Sequence, residues 1–75
     1  MNKQRENFVR LAEARTTKAL KMISIIGNLS NRNNYEYDQK DVAKIFDALE
    51  EEIRKNKLRF QSQMKEEKDV GFKLD

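Results

Sequence analysis

The sequence has no cysteine and no histidine among its 75 residues. Without cysteine no disulfide staples the fold, and no thiolate serves as nucleophile or metal ligand. Without histidine the commonest general base and the commonest transition-metal ligand are missing, which excludes a zinc site. Proline is absent as well, and glycine occurs only at Gly27 and Gly71, so little in the chain interrupts a helix. Long apolar runs are also lacking. The densest stretch, Ala19 to Leu29, is broken by Lys21, Ser24, Gly27 and Asn28, too polar for a membrane span. Nothing at the start has the pattern of a signal peptide. The expectation is a cytoplasmic protein with no cofactor and no membrane partner.

What the chain does have is charge and helical periodicity. A length of 75 residues allows one domain, near the lower limit for a self-sufficient core. In the second half, Val42, Phe46, Leu49, Ile53, Asn56 and Phe60 recur at alternating spacings of four and three. That is one continuous stripe close to a heptad seam, widened by Ile45 and Met64. Tyr37-Asp38-Gln39-Lys40-Asp41-Val42 reads as its start. Asp38 is the expected N-cap, Asp41 supplies first-turn negative charge, and Tyr37 and Val42 occupy the positions of a hydrophobic staple. This spacing predicts a helix over 39–68.

The first half repeats the pattern less cleanly. Phe8, Ala12, Ala19, Ile23 and Ile26 share one face, and from Ala19 onward apolar residues spread around the helix. Such a wide face calls for more than one neighbour. The expected first helix covers 4–28 and ends at Gly27-Asn28, with a polar connection over 29–38. A break near Arg15-Thr16-Thr17, giving a shorter third helix, is the alternative. Residues 69–75 are expected to fray, with a docked tail or short strand through Val70, Phe72 and Leu74 as the other reading.

These elements make an all-α fold: an antiparallel helical hairpin of two long helices. A lone hairpin leaves the Ala19–Leu29 surface wet. Self-association into a dimeric four-helix bundle is the simplest closed solution. The face expected to form this core comprises Leu20, Ile23, Ile26, Leu29, Phe46, Leu49, Ile53 and Phe60.

Charge is distributed in blocks. Residues 1–34 carry seven bases against Glu6 and Glu13, and residues 35–53 carry seven acids against Lys40 and Lys44. Residues 54–75 again carry seven bases, against four acids. In an antiparallel hairpin the two basic blocks meet at the open end. Arg5, Arg10, Lys18, Arg54, Lys57 and Arg59 are the candidate partner surface there. They read either as phosphate contacts or as a solvated helix surface. Attraction between the oppositely charged poles of two subunits is a third reading. No helix-turn-helix, zinc-finger or β-ribbon pattern accompanies them.

Other clusters carry less. Consecutive helical residues turn by about 100°, so Glu50, Glu51 and Glu52 do not converge on one ion. Carboxylates paired for acid–base work need a cleft that a bundle this small does not offer; no catalytic residue is assigned, and the chain is expected not to be an enzyme. Asn28-Leu29-Ser30 matches a glycosylation acceptor but has no secretory context. Tyr35 and Tyr37 read as exposed anchors, or as a staple and a cover for the end of the core. Asn56 within the apolar stripe either sets register and oligomeric state or marks where the core thins. Leu58, off the stripe, is an ordinary exposed residue or the edge of a partner patch.

Two stretches carry a resemblance. One is Arg5-Glu6-Asn7-Phe8-Val9-Arg10-Leu11-Ala12-Glu13 through Arg15-Thr16-Thr17-Lys18. The other is Gly27-Asn28-Leu29-Ser30-Asn31-Arg32-Asn33-Asn34-Tyr35-Glu36-Tyr37, leading into Asp41-Val42-Ala43-Lys44-Ile45-Phe46. Over about residues 5 to 60 the chain resembles a group of short uncharacterised helical proteins encoded on plasmids, conjugative elements and phages of Gram-positive bacteria. The resemblance implies a mobile-element setting and transfers no functional residue. The resulting expectation is a non-enzymatic protein-interaction module, a regulatory, accessory or inhibitor protein of a mobile element, acting as a homodimer on a protein partner. The alternative is a nucleic-acid-binding regulator that uses the basic open end.

Overall fold

The computed structural model describes residues 2–71, with side chains through Met64. The chain divides into two units, Met1–Glu36 and Tyr37–Asp75. The first contains helix α1 (Lys3–Gly27) and a single 3₁₀ turn (Asn28–Ser30); the second contains helix α2 (Gln39–Gly71). Among the described residues there is no strand, and the fold is all-helical.

Helix α1 begins at an asparagine cap. The Asn2 Oδ1 accepts a hydrogen bond from the Arg5 N–H at 2.7 Å, and the Asn2 carbonyl accepts from the Glu6 N–H at 3.0 Å. These bonds satisfy donors that the first turn would otherwise leave open. Glu6 adds negative charge in the same turn, where the helix dipole favours it. The helix runs without interruption through Arg15-Thr16-Thr17. The alternative of a broken first arm is therefore not realised, because two consecutive threonines cost too little helix propensity to break a segment with good helix formers on both sides.

Gly27 ends α1 without a left-handed turn. Its φ of −59° and ψ of −27° are helical, and no described residue has a positive φ. The stop instead follows from the residues beyond it. After the 3₁₀ turn, Asn31 becomes extended with φ −71° and ψ 102°. Its side-chain oxygen accepts from the Asn33 N–H at 3.0 Å, while its carbonyl accepts from Asn34 and Tyr35 at 3.1 and 3.0 Å. An asparagine that binds its own downstream backbone competes with helix formation. Asn31 thus closes the turn that begins the connection.

Helix α2 starts at a reciprocal pair. The Asp41 N–H donates to the Asp38 Oδ1 at 3.0 Å, and the Asp38 N–H donates to the Asp41 Oδ2 at 3.0 Å. This is a capping box with aspartate at both ends. The first helical hydrogen bond, from Val42 N–H to the Asp38 carbonyl, measures 3.2 Å. From there α2 continues for 33 residues, three positions past the expected end at Lys68. Residues 69–71 of the tail expected to fray over 69–75 are thus helical, because nothing before Gly71 breaks the helix; 72–75, with Phe72 and Leu74 of the docked-tail reading, lie outside the described residues.

None of the described residues is buried. Val9, Leu11, Ala12, Ile23, Ile26, Tyr37, Leu49 and Asn56 are half-buried, and the rest are exposed. Local hydrogen bonding and capping therefore define the helices, while their apolar faces remain accessible.

Candidate functional site

The apolar stripe of α2 is continuous along the helix and open to solvent. Phe46, Ile53 and Phe60 are 42%, 52% and 58% exposed. Leu49 and Asn56 between them are half-buried. On α1, Ile23 and Ile26 are half-buried, whereas Leu20 is 64% exposed; Leu29, in the 3₁₀ turn, is also exposed. All eight residues of the expected core face are thus at least partly accessible. Their alignment in a stripe sets these exposed apolar side chains apart from the singly scattered ones that any protein surface carries.

Two shallow open grooves follow the flanks of the α2 stripe. Glu50, Ile53, Arg54, Lys57, Leu58 and Gln61 line one; Asn56, Arg59, Phe60 and Gln63 line the other. Leu58 therefore belongs to the first flank, beside two of the candidate cations. Arg54 and Lys57 share that flank, and Arg59 stands on the opposite one. On α1 the three candidates diverge: from Arg5, Arg10 is turned by roughly 140° and Lys18 by roughly 220° about the helix axis. They do not form a common face on that helix.

Several of these cations are already engaged. Arg54 forms a bidentate pair with Glu51, Nε to Oε2 at 2.9 Å and Nη2 to Oε1 at 2.6 Å. This hydrogen bond holds the Glu51 carboxyl below the usual glutamate range and raises the Arg54 guanidinium above its ordinary value. Both groups are solvent-exposed, so the pair adds little to stability despite its geometry. Arg59 Nη1 donates to the Asn56 Oδ1 at 3.0 Å, and the Asn56 Nδ2 donates to the Glu52 carbonyl at 2.7 Å and its Oε2 at 3.0 Å. The Arg5 guanidinium lies 5.8 Å from the centre of the Phe8 ring, within cation–π range. Arg10 reaches the Asn7 Oδ1 at 3.4 Å.

The acidic run diverges as helical geometry requires: Glu51 faces Arg54 and Glu52 faces Asn56. Their involvement was available in the spacing, since residues three and four apart are neighbours on a helix surface. The block pattern of charge picks out the cations but not Glu51 and Glu52 as their neighbours. Asn56, whose place in the apolar stripe reads either as setting register and oligomeric state or as marking where the core thins, has its amide satisfied within its own helix. No family model, curated protein or solved structure matches this chain.

Proposed function

We propose that the chain is a non-enzymatic interaction module that completes its core by self-association. In this reading its two helices fold as an antiparallel hairpin, and two copies form a four-helix bundle. The observation that carries it is the pair of apolar faces on α1 and α2 with no buried residue among those described. Isolated helices gain little stability from propensity alone; an amphipathic face must be covered to hold them. A homodimer covers both faces with one symmetric solution. The assembled surface then acts by protein contact as a regulatory, accessory or inhibitor factor. Its mobile-element setting rests on the resemblance of residues 5 to 60.

Replacing Ile23 and Ile26 by Asp tests this directly. The expected result is loss of helicity and of the dimer; unchanged helicity and solution mass would refute it. Titration with random-sequence duplex DNA and RNA at low and physiological salt separates the second reading. Binding with a steep salt slope would put nucleic acid in place of a protein partner.

A further inference from the structure

We infer that the apolar seam of α2 is covered by α2 of a second copy running in the opposite direction. This rests on the self-association proposed above and specifies which helix makes the contact, and in which sense.

The seam has the form of a two-stranded coiled coil, with Val42, Phe46, Leu49, Ile53, Asn56 and Phe60 alternating by four and three. Ala43, Glu50, Lys57 and Met64 line one edge at heptad spacing; Ile45, Glu52 and Arg59 line the other. The charge changes sign at the middle of the helix. Asp47, Glu50, Glu51 and Glu52 precede Ile53, while Arg54, Lys55, Lys57 and Arg59 follow it. Paired helices lie about 8–10 Å apart, roughly one Debye length at physiological salt. A parallel pair sets acid beside acid and base beside base. Its cross-strand attraction between Glu52 and Lys57 is opposed by both like-charged blocks. An antiparallel pair sets the acidic half of each helix against the basic half of the other.

Turning one copy end for end about Glu51 also matches the seam. Leu49 then faces Ile53, Phe46 faces Asn56, Val42 faces Phe60, and Glu50 lies along the same edge as Lys57 of the other copy. The state of Asn56 favours this sense. A seam asparagine in a parallel pair faces its counterpart and binds it. Here the Asn56 amide already donates to Glu52 and accepts from Arg59. It can therefore lie opposite Phe46 with its polar atoms satisfied.

The absence of native cysteine makes the test simple. Ala43→Cys and Met64→Cys change two exposed edge positions that lie about 31 Å apart along the helix at ~1.5 Å per residue. The two variants, each confirmed helical and of unchanged mass, are mixed, re-equilibrated and treated with a short bis-maleimide. Antiparallel pairing gives a crosslinked dimer in the mixture and none in either variant alone. A dimer that crosslinks within a single variant, or in no combination, overturns the inference while leaving self-association standing. A chain that stays monomeric at every concentration overturns both.

Discussion

The Asp38–Asp41 capping box gives the most quantitative handle on how the second helix is held. Asp38→Ala removes the acceptor at 3.0 Å from the Asp41 N–H and leaves that donor to water. Loss of such a cap costs about 1 kcal/mol per helix, within a range of roughly 0.5–2. In the proposed homodimer each chain carries one such cap, so the dimer, with two, should lose about 2 kcal/mol. Asp38→Asn keeps an acceptor of nearly equal capping strength and should retain most of the stability. The assay is urea denaturation followed by far-UV circular dichroism at one fixed protein concentration, because an association-coupled fold depends on it. Asp38→Ala should lower the midpoint without changing the slope, since the surface exposed on unfolding stays the same. If Asp38→Asn cost as much as Asp38→Ala, the charge rather than the hydrogen bond would be responsible. If neither variant lost stability, the helix start would not be set by this box.

Two further outcomes follow from the same structure. Gly27 has helical dihedrals and nothing within 4 Å of an added Cβ, so Gly27→Ala should stabilise the fold by about 0.5 kcal/mol through reduced freedom of the unfolded chain; a lower melting temperature would contradict helical geometry there. Glu51 should titrate below an ordinary glutamate because Arg54 binds its carboxylate, and Arg54→Gln should return it upward in a carboxyl-detected NMR titration. Because the folded pKa is the lower one, the contribution of the pair is present above the unfolded glutamate value. It is lost as pH falls through the folded value. An unshifted Glu51 in the native chain would remove the bidentate pair from the account.

Much of the helical layout could be read from particular residues. Asp38 marks the start of α2 because a capping residue precedes a regular apolar spacing, whereas the return bond to the Asp41 carboxylate is visible only in the structure. Asn2 carried the same signal for α1 but sat ahead of any clear periodicity. Gly27 was expected to stop α1 as a flexible residue, yet the turn is organised by Asn31 four positions later. A glycine permits a left-handed cap and does not compel one. The candidate surface was less accessible to sequence reasoning. Charge type is visible in a sequence, but whether a guanidinium stays available depends on local rotamers. Arg54 pairs with Glu51, while Arg59 joins Asn56 and Glu52. The identity of a partner is further removed still, since an apolar stripe does not encode the chemistry of whatever would cover it.

Whether this chain acquires its core from another copy of itself is tested most directly by its solution mass. Sedimentation equilibrium across a wide concentration range should show the 8.9 kDa chain giving way to twice that mass, with helicity rising in step. A single 8.9 kDa species that keeps full helicity and melts cooperatively at every concentration would contradict it.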